Sequence, residues 1–212
     1  MSKSTSEITA VYSELFAYVP SRAQKRMLQI VKGAIKCYAS LGIEGTTYDR
    51  IAKTCKISRP LIQHYFKDRN EIFEMAMKYI RMQGQQAVVA ACKDKVVPRE
   101  KLAAYIEAHF NWLKKKPSHW ELFKIFYYYC GSDPGARILN TQLVGMGHDR
   151  ITAFLSEGAA AGDFAKDDLS RRAKDIQVLL TGALLMVSIE NLDDARFRAQ
   201  IVASCLRIAR EP

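Results

Sequence analysis

The sequence predicts an all-α protein. Apolar residues recur at helical spacing throughout, and no stretch shows the strict apolar/polar alternation of a half-buried strand. Glycine and proline punctuate the chain sparsely, 11 and 6 of 212 residues. Roughly nine or ten helices account for that pattern.

Residues 1–20 read as an arm. Ile8, Val11, Tyr12, Leu15 and Phe16 follow i, i+3, i+4, i+7 spacing, which suits a short extra helix. Ser21 is a candidate N-cap for a first main helix with an apolar stripe of Met27, Ile30, Val31, Ala34, Tyr38 and Leu41. Gly42 sits where a C-terminal glycine would end it. Thr46-Thr47-Tyr48-Asp49 is a capping signature, with Thr46 placed to cap and Asp49 in the first turn of a helix of barely two turns. Lys56-Ile57 makes a turn. Ser58 can cap the next helix, Arg59 to Phe66, with Pro60 in its first turn, where a missing N–H costs little. A long helix begins near Arg69. Further helices are predicted at about 69–93, 98–115, 118–130, 135–161, 168–191 and 194–210, with joints at Pro98, Pro117, Pro134, Gly162 and Asp193-Asp194.

Composition bounds the function. Hydrophobic content of 49% and charged content of 25% are ordinary globular values, which excludes disorder as the main state. A chain of this length buries a core without disulfide or metal staples. Net charge is +10, unevenly placed: residues 20–82 carry 13 Lys/Arg against 5 Asp/Glu, a net +8. A basic excess confined to one third of a chain is expected where that third faces a polyanion. The five cysteines are scattered, with no CxxC and no metal-ligand spacing, so they read as small buried residues or, alternatively, as a redox-sensing thiol. No secretory h-region is visible, and the apolar run Val178–Ile189 is too short to span a bilayer, so the expectation is a cytoplasmic protein off the membrane. The motifs of hydrolases, zinc proteases, P-loop and dinucleotide-binding enzymes are missing; His119 and Glu121 lie close without a nucleophile. The expectation is therefore a non-enzyme with no catalytic residues, cofactor or metal.

Two short helices joined by a tight turn and braced by a preceding helix make a helix-turn-helix. The inward braces are Ile30, Val31, Ala34, Tyr38, Ile51, Ala52, Ile57, Ile62 and Phe66. The second short helix is narrow and polar outward, as entry into a major groove about 12 Å wide requires. Arg59, Pro60, Leu61, Gln63 and His64 form its outer side. Ser58, Tyr65, Lys67 and Arg69 place hydroxyls and cations at its ends, which suits phosphate oxygens.

The run from Arg26 to Phe73 resembles the DNA-binding domain of TetR-family regulators. The resemblance lies in the helix ending at Gly42, Thr46-Thr47, Ile51-Ala52, Ile57-Ser58, Tyr65-Phe66 and the cation at Arg69. It covers about 48 residues. The chain departs from the family pattern at Lys56, where glycine is usual and φ > 0 is often needed, and at Gln63, where tyrosine is common. Arg69 replaces the usual lysine and still supplies a cation for phosphate.

The resemblance implies residue roles. Arg59, Pro60, Leu61 and His64 would read base edges. Thr46, Thr47, Tyr48, Gln63, Tyr65, Lys67 and Arg69 would hold the backbone, with Arg22 and Lys25 as weaker candidates. Gln63 either holds a phosphate or reads adenine; Thr46 alternatively only caps its helix, and Tyr65 alternatively belongs to the core. The implied organisation is an arm (1–20), a helix-turn-helix domain (21–69) and a regulatory domain (70–212). Two copies would pair as a homodimer through helices near 168–191 and 194–210 on a palindromic double-stranded operator. Independently of that, Ile176, Leu179, Leu180, Ala183, Leu184, Val187 and Ile189 wrap most of one helix, which therefore needs partners on more than one side.

A repressor released by a small effector is the implied function; an effector-independent or protein-controlled DNA-binding regulator is the alternative. Aromatics concentrate between Tyr105 and Tyr129. His109, Trp112, Trp120, Phe123 and Tyr127 are the candidate contacts for a hydrophobic or aromatic effector, against plain core packing as the other reading. Lys114-Lys115-Lys116 is either a solvated charge run or a partner contact.

Overall fold

The computed structural model describes residues 21–190 and 195–210. They form helices and connecting turns, with no strand among them. In chain order the helices are α1 (Arg22–Gly45), α2 (Tyr48–Cys55), α3 (Arg59–Tyr65), α4 (Arg69–Cys92), α5 (Pro98–Lys115), α6 (Pro117–Tyr129), α7 (Pro134–Ala161), α8 (Leu169–Glu190) and α9 (Ala195–Arg210). The predicted arm at 1–20 and the joint at Asp193-Asp194 lie outside the described residues. No helix among the described residues is long and apolar enough to cross a membrane.

Local chemistry sets these boundaries. Ser21 caps α1 in a reciprocal box: its hydroxyl accepts from the Gln24 amide at 3.2 Å, and its own N–H donates to Gln24 Oε1 at 2.7 Å. Helical geometry stops at Gly42, whose φ of 69° and ψ of −176° suit glycine alone. Leu41, expected inside the stripe, is 40% exposed at this break, because the helical face no longer continues past it. Asp133 caps α7, accepting from the Ala136 amide at 2.6 Å, and Gly162 ends it with φ of 81°. Pro98, Pro117 and Pro134 each open a helix, where their missing N–H is not needed.

The described residues divide into two compact units. The first holds residues 21–83 and 121–125. Its core is Ile30, Val31, Ala34, Ile51, Ile62, Phe66 and Ile72, all at or near zero exposure. Tyr38 stacks edge-on to Phe73 at 5.2 Å. The second unit holds residues 84–120, 126–190 and 195–210. Here α8 packs on α7 and α9, and α5 packs on α7, α8 and α9. Buried Arg172, at the start of α8, donates to the Asp167 carboxylate at 2.9 and 3.0 Å, to the Asp167 carbonyl at 2.9 Å and to the Ile208 carbonyl at 2.8 Å. That fork ties the turn before α8 to the end of α9, and it holds the Asp167 carboxyl below the usual carboxylate range.

In the first unit α1 and α2 approach closely at Gly33. A Cβ placed on Gly33 would lie 2.1 Å from Cys55 Sγ. Alanine there would gain about 0.8–1 kcal/mol of helix propensity, but an overlap that deep outweighs it. Gly33→Ala is expected to cost about 1–3 kcal/mol, read as a lower urea midpoint at unchanged slope. Combined with Cys55→Ala, the cost should fall below the sum of the two single changes. An unchanged midpoint in the single variant would refute the close packing.

Candidate nucleic-acid interface

The candidate reading element is α3, and its orientation starts with α2. Thr47, extended at φ −99°, caps α2 by accepting from the Arg50 amide at 3.3 Å. Asp49 adds a negative charge to the first turn. Lys56 then ends the helix in the left-handed region, φ 54° and ψ 48°, the conformation that favours glycine. Its backbone pays a strain of roughly 1–2 kcal/mol. Ser58 sits at the N-cap of α3, yet its hydroxyl makes no capping bond. Pro60, in the first turn, has no N–H to leave unmatched.

With Ile62 fully buried and Phe66 at 1% exposure, α3 turns Arg59, Pro60, Gln63 and His64 to solvent. Leu61 and Tyr65 are half-buried at its edges, and His64 meets the Tyr65 ring edge-on at 5.0 Å. Arg59 Nη1 lies 3.2 Å from Asp49 Oδ2, and its guanidinium stands 5.7 Å from the centre of the Tyr48 ring. Both members of this pair are more than half exposed. Such a pair contributes little to stability and is free to exchange. Asp49 was legible only as a first-turn acid; its meeting with Arg59, ten residues on, depends on the geometry of the turn.

Ser58, Thr47 and Lys67 are exposed and Tyr48 is half-buried around this face. The start of α4 is fixed by Asp68, which accepts from the Glu71 amide at 2.8 Å, while Glu71 accepts from the Lys67 amide at 2.7 Å. Arg69 Nη1 donates to the Thr46 carbonyl at 2.9 Å, and the residue stays exposed. Two expectations for Thr46 need correction. The cap of α2 is Thr47, and Thr46 is fully buried, its hydroxyl donating to the Gly42 carbonyl at 2.7 Å. A side chain without exposed surface is not placed to hold a phosphate. Adjacent threonines give the same capping signal, and burial decides between them.

Residues 30–76 match the family model for bacterial regulatory proteins of the tetR family. That stretch of the chain is similar to tetR-family regulators. It is 30% identical over 90 residues to the HTH-type transcriptional regulator BetI of Burkholderia cenocepacia, a stretch of 41% of this chain and 45% of that one. The chain thus spans under half the length of the curated relatives it matches. Likeness of fold extends much further. A TetR transcription regulator of Haloarcula marismortui superposes with a TM-score of 0.75 at 13% identity, over 87% of this chain and 96% of its own. A tetR-family protein of Rhodococcus gives 0.69 at 20%, over 90% and 98%. A regulator of Saccharomonospora viridis in complex with choline gives 0.73 at 16%, over 85% and 93%.

The effector candidates fall into both units. Phe123 belongs to the first, where Arg81 stands 5.8 Å from its ring centre. His109, Trp112, Trp120 and Tyr127 belong to the second. There Trp112 meets Trp120 edge-on at 6.4 Å and His119 at 5.9 Å, all three buried. His109 Nδ1 lies 2.8 Å from the Tyr105 carbonyl, and its ring 4.6 Å from the Tyr105 ring. Tyr127 is half-buried beside Phe126.

Other chemistry is limited. Burial raises the thiols of Cys55, Cys92 and Cys130, and pushes Cys205 up to about 12, away from the thiolate a redox sensor needs. No group of three or more His, Cys, Asp and Glu among the described residues could hold a metal ion. His148 Nε2 lies 3.3 Å from Ser170 Oγ, with Nδ1 3.7 Å from Asp149 Oδ1. Nε2 is also 3.0 Å from the Ser170 carbonyl.

Desolvation by burial, aided by Lys116, lowers His119 to about 4, so its imidazole is neutral near pH 7. An unfolded histidine titrates near 6.5. The folded state then binds fewer protons, so its stability is full above about pH 6.5. It falls as the pH drops toward 4, by up to about 1.4 kcal/mol per pH unit. Urea unfolding between pH 7 and 4 should show this loss, and His119→Phe should flatten it. An identical acid slope in that variant would refute the neutral buried imidazole.

Proposed function

We propose that the chain is a DNA-binding transcription regulator that grips a palindromic double-stranded operator as a homodimer. The observation that carries this is the face of α3, where Arg59, Pro60, Gln63 and His64 stand exposed on a frame that Ile62 and Phe66 hold rigid. Arg59 and His64 reach base edges, and Pro60 and Leu61 give apolar contact to thymine methyls. Thr47, Tyr48, Ser58, Gln63, Tyr65, Lys67 and Arg69 hold phosphates and fix the register. Arg69 has four N–H donors beyond the one on Thr46.

The homodimer reading is supported by α8. Val178, Met186 and Ile189 are 62, 40 and 68% exposed along one side of that helix, and Gly182 between them has open space at its Cβ position. An apolar stripe of this kind fits a second copy of itself. Pairing sets two α3 helices one helical turn of DNA apart, about 34–36 Å.

The regulatory half of the proposal is repression relieved by a small apolar or aromatic molecule. The Trp112–Trp120 pair with the neutral His119 supports it, as apolar walls around a polar atom. The choline held by the Saccharomonospora viridis regulator of similar fold makes quaternary ammonium compounds, which bind aromatic faces, the first class to test. Effector and operator would favour different states, each weakening the other by the same factor.

One set of binding measurements tests the core of this. Duplexes selected from a random library by the full chain should bind two protomers per site. Arg59→Ala and His64→Ala should each lose about 1–3 kcal/mol of preference for the selected sequence. Ile189→Asp should sediment as a monomer and lose most affinity. Unchanged discrimination in the first two variants refutes the base readers, and a dimeric Ile189→Asp refutes the α8 interface.

A further inference from the structure

We propose that a lysine-lined groove between α1 and α2 is a second phosphate-binding surface, one that holds the DNA backbone flanking the sequence read by α3. It rests on the DNA-binding reading above and extends the contact beyond the helix-turn-helix face.

The groove has two parts, about 440 and 200 Å3, which share Lys36 and Thr54. Lys25, Lys32 and Lys36 line it from α1, and Arg50 and Lys53 from α2; no Asp or Glu lines either part. The ion pairs among the described residues involve none of these five cations. Lys32 also stands 5.7 Å from the centre of the Tyr79 ring, and the five exposed cations together give the groove a positive field that attracts anions.

Position supports the choice of anion. The two sides of α2 differ. Tyr48 and Asp49 meet Arg59 of α3, whereas Arg50 and Thr54 line the groove, with Lys53, one turn on from Asp49, at the border between the two sides. In a helix-turn-helix complex the first of the two short helices crosses the phosphate backbone while the second enters the major groove. A groove on the far side of α2 from α3 then meets the same backbone beyond the base pairs being read. The lysines at i, i+7 and i+11 of α1 stretch over about 16 Å at 1.5 Å per residue. That length matches a short run of phosphates along one strand. The bare Cα of Gly33, among the groove residues, keeps the wall between α1 and α2 low.

The test uses the full chain and the duplex it selects from a random library, prepared at core length and with about eight base pairs added on each side. The wild type should bind the long duplex about tenfold tighter at low salt, with a steeper dependence on salt. Lys32→Gln/Lys36→Gln/Lys53→Gln should lose the gain from the flanks and flatten the slope of log K against log salt by about 0.9 for each phosphate contact removed. Its preference for the selected sequence should stay, and its thermal midpoint should match the wild type. The corresponding triple arginine variant should restore slope and flank gain. A glutamine variant with the wild-type slope and flank gain overturns the proposal while leaving the α3 reading intact. A library that yields no preferred sequence overturns that reading and the groove's role with it.

Discussion

The helix-turn-helix depends on a short chain of hydrogen bonds where α1 ends, α2 begins and α4 begins. Gly42 turns the backbone through a conformation closed to other residues. The Thr46 hydroxyl takes up the Gly42 carbonyl, the Arg69 guanidinium takes up the Thr46 carbonyl, and Tyr38 reaches the Arg69 carbonyl at 3.3 Å. Each such part-buried bond contributes about 0.5–1.5 kcal/mol, and the links reinforce one another. Burial also raises the Tyr38 phenol, which keeps it a donor. The entry of α2 is fixed by this chain, and α3 hangs from α2 through the Lys56 turn.

Much of the fold was legible because helix ends announce themselves chemically. Ser21, Gly42, Pro98, Pro117, Pro134 and Gly162 all stand at or beside helix ends or breaks, as caps, prolines and glycines should. The left-handed turn at Lys56 was legible too, since a glycine is usual there. Thr46 was misread because two neighbouring hydroxyls carry one signal, and only tertiary burial separates the one that caps from the one that closes the core. Leu41 was misread because helical periodicity says nothing about where a helix loses its neighbour.

The candidate site divides in the same way. The outward residues of α3 follow from period and exposure alone. The partner of Arg59 does not, because residues 49 and 59 meet only once the turn is built. The cations of the α1–α2 groove carry a readable signal, lysines at i, i+7 and i+11, but the groove between them exists because Gly33 and Cys55 approach so closely. The aromatic stretch from Tyr105 to Tyr129 was legible as apolar wall. Which rings face one another was not, since Trp112, His119 and Trp120 are brought together by the bend between α5 and α6.

The contact between Arg59 and Asp49 gives sequence reading a particular character. In the free protein this guanidinium already holds an acceptor. If Arg59 reads a base as proposed, that edge would displace a carboxylate rather than fill an empty hand, and Asp49 would be left as a negative charge at the border of the duplex. A guanine offering two aligned acceptors can win that exchange; a poorly aligned edge leaves the arginine at home. On that proposal recognition is an exchange of partners, and the weak, solvent-exposed hold of Asp49 taxes every base that takes the arginine alike.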